Sequence, residues 1–263
     1  MEKWRPAPPF SAVRRAASDF SRRHRPVRLS AAIPVLIPAL ALCSAAPAIA
    51  QVSVAVAAES DLRVRGYSVS GGQPTASVKV SYDDGSGFYA DGSATEVVTR
   101  KDGPRFLGYQ VDAGMAKRVN DMWTIDVGIV RNEFRAAYGQ AFQYAYTEVY
   151  AGATRGPFSA YGFVSPNYFD PGAWTLYGQI EGSVAPAADW RLTAHVGSLN
   201  YLSSSETYAI RPNTKFDWRV GITREFGNFE AHAALSGGGP GREYYNGDTH
   251  SRTALTAGAA ISF

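Results

Sequence analysis

Beyond residue 50 the chain carries three histidines, His195, His232 and His250, and no cysteine. None of the three lies in a metal-ligand spacing such as H-E-x-x-H, and without thiolates a structural zinc site lacks its commonest ligands. Hydrolytic chemistry needs a nucleophile held beside a base. His250, flanked by Asp248 and Ser251, is the one local candidate, and neighbours along a loop do not by themselves make a triad. Gly237-Gly238-Gly239-Pro240-Gly241 has the glycine content of a phosphate loop. It lacks the lysine and the helix that such a loop needs, so it reads as a flexible connection. No catalytic, cofactor-binding or metal-binding residue is expected, no cofactor is implied, and the chain is not expected to be an enzyme.

The remaining charges follow a different rule: they alternate with apolar residues. Side chains two apart share one face of a strand, so alternation describes a strand with two unlike faces. Phe216-Asp217-Trp218-Arg219-Val220-Gly221-Ile222-Thr223 is one such run, with its even positions apolar. Trp123–Ile129, Leu107–Met115, Trp190–Val196 and the closing Leu255–Phe263 repeat the pattern. Projected by phase, the polar face collects Glu59, Asp61, Arg63, Arg65, Lys79, Asp83, Asp112, Asp126, Glu148, Glu181, Arg191, His195, Asp217, Arg219, Glu225, Glu230 and His232. If these line a common interior, two roles follow. They form a narrow path that mildly favours cations, or Arg63, Arg65, Arg191 and Arg219 pair with carboxylates and brace the interior, as buried charges require. Arg131 and Arg224 fall on the apolar face, where a long side chain near a strand end can snorkel.

What positions these residues is a series of long strands. Twelve alternating segments are expected, at 54–68, 73–83, 86–98, 105–118, 122–134, 142–154, 157–167, 174–185, 189–201, 215–226, 229–237 and 251–263. A globular strand has about five or six residues; a strand tilted across a bilayer needs about 9–11. The connections alternate too. Asp84-Gly85, Val119-Asn120-Asp121, Arg155-Gly156, Ala187-Ala188 and Gly227-Asn228 are tight-turn sequences. Between them lie longer polar links at 69–72, 99–104, 135–141, 168–173, 202–214 and 238–250. Short turns on one side and long loops on the other describe an all-β, closed, antiparallel transmembrane barrel of twelve strands, with both chain ends on the short-turn, periplasmic side.

A soluble barrel or sandwich would turn its apolar face inward. Here the polar face is rich in glycine (Gly108, Gly114, Gly128, Gly197, Gly221, Gly258), and charged residues are only 19% of the chain. Aromatic residues gather near strand ends (Phe88, Trp123, Trp174, Trp190, Phe216, Trp218, Phe226, Phe229), where membrane interfaces place them. Tyr144, Tyr146, Tyr201, Tyr208, Tyr244 and Tyr245 fall near the loop ends and are assigned to the same girdle, with a ligand-binding rim as the other reading. Phe263 ends the chain in phase with Ile261, Ala259, Ala257 and Leu255, the expected C-terminal signal for the barrel-insertion machinery.

The first fifty residues are of another kind. They hold 8 of the 26 Lys and Arg, 2 of the 23 Asp and Glu, the only cysteine (Cys43) and none of the 26 glycines. A basic stretch with Arg14, Arg15, Arg22, Arg23, Arg25 and Arg28 precedes LSAAIPVLIPALALCSAAPAIA, and Ala48-Ile49-Ala50 fits an A-x-A cleavage site. Pro34, Pro38 and Pro47 interrupt that apolar stretch, which argues against a membrane anchor. Residues 1–50 are thus expected to be a signal peptide and 51–263 the barrel. The latter then bears 18 basic and 21 acidic residues, which excludes a basic nucleic-acid-binding surface, and its lack of cysteine excludes a disulfide scaffold.

Ser60-Asp61-Leu62-Arg63-Val64-Arg65-Gly66-Tyr67-Ser68 and the following Pro74, with Ser86-Gly87-Phe88-Tyr89, resemble the S-D-x-R-x-R-G-x-S and Ser-Gly-Phe-Tyr stretches of the proteobacterial Gcw-chp family. Where that family continues with a Trp, this chain has Ala90-Asp91-Gly92-Ser93. The resemblance implies an exported outer-membrane barrel and carries over no catalytic residue. A porin-like channel for small solutes is the expected function. A non-conducting structural or surface-binding barrel, acting through loops 202–214 and 238–250, is the alternative, and an outer-membrane enzyme the third. The expected partners are outer-membrane lipid, periplasmic chaperones and the insertion machinery during biogenesis, and a small solute. Intact-mass measurement of the protein purified from membranes should give a chain starting at Gln51; retention of residues 1–50 would contradict the export reading.

Overall fold

The computed structural model describes residues 50–99, 103–135, 143–169, 172–203, 214–239 and 253–263. Residues 1–49 of the expected signal peptide, His250 with Asp248 and Ser251, and Tyr208, Tyr244 and Tyr245 lie outside them. Fourteen strands follow in chain order: β1 Ala50–Glu59, β2 Arg63–Val64, β3 Tyr67–Ser68, β4 Thr75–Asp84, β5 Phe88–Thr99, β6 Gly103–Arg118 and β7 Trp123–Arg135. Then come β8 Gln143–Arg155, β9 Phe158–Ser165, β10 Thr175–Ala187, β11 Trp190–Tyr201, β12 Thr214–Phe226, β13 Phe229–Gly238 and β14 Ala254–Ser262. All but β2 and β3 form one closed antiparallel barrel in which each strand pairs with its chain neighbours and β14 returns to β1. Twelve strands therefore build the barrel, as the alternation implies.

The outer wall is a belt of exposed apolar side chains, among them Val56, Val78, Val111, Ile125, Val127, Ile129, Val149, Ile180, Val196, Val220 and Ile222. In water each such residue left exposed forgoes about 1.5–3 kcal/mol of burial, and a continuous belt of them requires lipid. Two aromatic girdles bound it. Phe88, Trp123, Phe158, Phe226, Phe229 and Phe263 ring the short-turn end; Phe106, Trp174, Phe216 and Trp218 ring the loop end. Outward arginines rest on these rings, Arg155 at 5.5 Å from Trp123 and Arg224 at 5.0 Å from Trp190, so Arg224 does snorkel at a strand end. Arg131 is outward as well, bonded to Thr147 at 3.1 Å and lying 3.9 Å from Glu133.

Two irregularities alter the phase read from sequence. Between Thr95 and Glu96 of β5 the pairing skips Leu107 of β6, a bulge that places both Leu107 and Gly108 in buried positions. Leu107 was expected on the lipid face with Tyr109 and Val111; it packs inside instead. A second register shift, between Val184 and Ala187, accommodates Pro186, which has no N–H for a ladder.

The seam of β1 with β14 spans only Ala55–Glu59 against Gly258–Ser262, extended by the reciprocal bonds of Val54 with Phe263. Phe263 thus ends the chain at the closure itself. On the inner side Glu59 of β1 reaches over β14 to His232 of β13, 2.9 Å away, and Gly258 lies beneath, where a Cβ would overlap both side chains.

Glycine also decides the inner packing elsewhere. Tyr89 faces Gly114 across β5–β6, Tyr150 faces Gly128 across β7–β8, and Tyr161 faces Gly152 across β8–β9. In each pair the tyrosine ring occupies the space that a glycine Cβ would take. The inward glycines are therefore seats for rings that lie along the wall. Gly128→Val should lower the thermal midpoint of the refolded barrel, by an amount corresponding to about 1–3 kcal/mol of overpacking. An unchanged midpoint would show that the Tyr150 ring has an alternative position.

Candidate functional site

The lumen is organised around a segment that sequence periodicity misplaces. Arg63 and Arg65 were expected on the first transmembrane strand, 54–68. The barrel strand stops at Glu59, and the two-residue strands β2 and β3 form an inward-folded hairpin within the first loop, with Arg63 on β2 and Arg65 in its turn. Its tip is Arg65-Gly66, with φ of +50° and +80° between the paired Val64 and Tyr67. Positive φ at both central residues is the type I′ arrangement that matches strand twist. Alternation across residues 60–68 looks like a continued strand because this hairpin is itself made of extended residues.

Asp61 pins the hairpin. Its carboxylate accepts from Arg63 Nε at 2.7 Å, from Ser68 Oγ, and from Ser70 Oγ at 3.0 Å, while Ser70 Oγ also accepts from the Leu62 N–H at 3.0 Å. Arg65 then crosses to the opposite wall. Its two terminal nitrogens donate to the two carboxylate oxygens of Glu148 on β8, at 2.9 and 2.6 Å. The guanidinium stacks 3.8 Å from the Tyr177 ring centre and 5.1 Å from that of Tyr168. Counted around the ring, β8 to β10 lie opposite β1, so the hairpin spans the barrel. On the way it touches β13: a Cβ on Gly66 would sit 2.7 Å from the Gly238 carbonyl carbon and the Gly239 nitrogen. Only glycine allows this approach. The motif thus has a role for Asp61, both arginines, Ser68 and its glycine.

Beside the hairpin, Val64 joins Val97, Leu107, Val130, Phe134 and Tyr146 in an apolar cluster that fills the loop-end half of the lumen under β5–β8. Tyr146 is therefore interior, a correction to its assignment to the interface girdle, because its even phase with Glu148 and Tyr150 turns it inward. Tyr201 likewise packs against this cluster.

Below it lies a lattice of tyrosines and carboxylates. Tyr89 and Tyr161 donate to Asp126 at 2.7 and 3.1 Å, Tyr150 donates to Asp112 at 2.8 Å, and the Tyr89 and Tyr150 hydroxyl oxygens lie against each other. Tyr177 donates to Asp217 at 3.1 Å. His195 bridges Asp217 at 2.8 Å and Glu181 at 3.3 Å. Nearer the short-turn end Arg191 meets Glu225 at 2.5 Å and Glu230 at 3.4 Å, and Lys79 meets Asp91 at 3.5 Å. Asp83 is inward on β4. Every charged position projected onto the polar face is thus interior. Asp91 and Lys215, absent from that projection, are also inward and buried; their phase within β5 and β12 could have revealed them. The tyrosine lattice had no sequence signal beyond its even spacing, since tyrosine also suits the girdles.

Pairing dominates. Arg63, Arg65 and Arg191 brace the interior, as one of the two sequence readings requires. Arg219 does not. It shares the inward face of β12 with Asp217, Gly221 and Thr223, is exposed, and makes no hydrogen bond or ion pair among the described residues. Arg65→Ala should be the most destabilising of the lumen substitutions, by about 3–5 kcal/mol, because it leaves the buried Glu148 carboxylate uncompensated. Arg65→Ala combined with Glu148→Gln should recover part of that loss in thermal unfolding; a double variant as unstable as the sum of the two single variants would disprove the coupling.

No curated protein matches the chain. Among solved structures it is similar to the NanC porin, at 11% identity with a TM-score of 0.53 over 81% of this chain and 99% of that one. It is also similar to the KdgM porin, at 13% identity with a TM-score of 0.49 over 80% of this chain and 99% of that one. The likeness to NanC is one of fold, that of a porin-like outer-membrane β-barrel. The family of bacterial proteins of unknown function named Gcw_chp matches residues 44–253, a span that includes the hairpin motif and every barrel strand up to β13. The chain belongs to that family.

Proposed function

We propose that this chain is an outer-membrane channel for small solutes, exported by its N-terminal signal, whose loop-end mouth is narrowed by the hairpin of residues 60–74. The observation that carries this reading is the exposed Arg219 side chain inside the barrel, at mid-strand on β12. A charged group there needs water around it, so the lumen holds water to at least that depth. Two features agree. The wall from β12 through β14 and β1 presents small residues inward, among them Gly221, Ala234, Gly258, Ala55 and Ala57, while β5–β10 carry the bulky tyrosines. Wet space therefore lies on one side. The belt and girdles supply the lipid contact, and the short turns would face the periplasm.

A second reading has its own observation. Around the hairpin Tyr67, Ser70, Thr175 and Leu199 are all buried, as in a barrel sealed at its loop end and serving a structural or surface-binding role. Planar-bilayer recording separates the two. The refolded protein should give small discrete conductance steps. Arg65→Ala with Glu148→Gln, which frees the hairpin tip from the far wall without stranding a charge, should raise the step size severalfold. Silence from both proteins, with folded barrel confirmed by gel mobility, would overturn the channel reading in favour of the sealed barrel.

A further inference from the structure

Solute chemistry is decided by the charges that the protein leaves unanswered. Asp61, Glu148, Asp91, Glu225, Glu230 and Glu59 each have a cationic or histidine partner in the lumen. Asp112 and Asp126 are buried and accept from tyrosine hydroxyls. Glu181 and Asp217 are engaged by His195, and Asp217 also by Tyr177. Arg219 alone among the inward arginines named has neither partner nor burial among the described residues.

Its surroundings suit a ligand. Cross-strand partners are His195 on β11, whose ring nitrogens are held by Glu181 and Asp217, and Ser236 on β13. Gly221 follows on the same face, and Thr193 lies opposite Gly221. A side chain of guanidinium length therefore stands over residues with little bulk. The hairpin anchor is close on the loop side: Tyr177, on which Arg65 stacks, bonds to Asp217, two residues before Arg219. Arg219 thus sits where the open part of the lumen meets its plugged part.

We infer that Arg219 is an anion-binding group of the lumen, which pairs with a carboxylate or phosphate on the solute through its free guanidinium N–H donors. The fork geometry of arginine favours those two groups over other anions. Most of the carboxylates counted toward a cation preference are already bonded within the protein, so Arg219 is a local anion site in that lumen. The inference builds on the channel reading only for its consequence in transport; binding itself does not require conduction.

The test is calorimetric titration of the refolded protein in zwitterionic detergent with malonate and, separately, inorganic phosphate. Wild type should bind at least one of them saturably, and a preference between them identifies which anionic group the solute bears. Arg219→Gln should weaken binding about tenfold or more, the scale of a lost charge-assisted hydrogen bond. Arg219→Lys should retain part of it, and Arg131→Gln on the outer wall should change nothing. Equal binding by wild type and Arg219→Gln, or no binding of either anion by wild type, overturns the inference. Intact, Arg219-dependent binding with silent bilayers would overturn the channel reading and leave the anion site standing.

Discussion

A β-sheet in hydrocarbon cannot end, because each unpaired backbone group there costs several kcal/mol. Closure is the constraint from which the rest of this molecule follows. It fixes an even number of long antiparallel strands, joins β14 to β1, and sets one face of every strand against lipid. The opposite face then has to be compatible with an enclosed space. Twelve strands enclose more room than their own small inward residues fill, so the interior is either wet or occupied by something else. Here tyrosines occupy the β5–β10 side, and the side from β12 through β14 to β1 presents small residues.

The occupied part is built by unequal partition of side-chain size. Tyrosines on β5, β8, β9 and β10 lie over glycines on their neighbours, and the hydroxyl ends meet Asp112, Asp126 and Asp217. Each ring supplies apolar area to the wall and a donor to a carboxylate. Neither role is available to the residues on the far side, where alanine, serine and glycine leave space. One half of the barrel thus behaves as a conventional core, although it contains ionised groups, and the hairpin carries Arg65 across to join it. Buried charge is tolerated there because almost every member of the network has a bonded partner.

Much of this was legible in the sequence. Period-two alternation identified all twelve barrel strands, and turn composition gave the alternation of short and long connections. The inward phase of Lys79, Asp112, Asp126, Glu148, Glu181, Arg191, His195, Asp217, Arg219 and Glu230 followed from the same pattern. Three features did not. Leu107 reversed its face because a bulge inserts one residue, and nothing in a run of alternating residues announces where the ladder slips. Arg63 and Arg65 were placed on a strand, since a short inward hairpin has the same alternation as the strand it interrupts. Tyr146 reads as a girdle residue because composition cannot distinguish an aromatic at an interface from one in a lumen. Which charges pair is likewise a matter of distance across the barrel: Arg65 and Glu148 are separated by 83 residues.

That separation has a consequence for assembly. The hairpin is the first loop of the chain, but its sockets are Glu148 on β8, Tyr177 on β10 and the Gly238-Gly239 backbone beside β13. None of these exists in place until most of the wall has been laid down. Contacts so distant along the chain form late and slowly. Residues 60–74 therefore dock only after those strands have paired, and Arg65 stays hydrated until then. Both stems of the hairpin are tethered at the loop end by β1 and β4, so it reaches the lumen from that end. A docked hairpin is thus a report, from the first loop, that the wall from β8 to β13 stands complete.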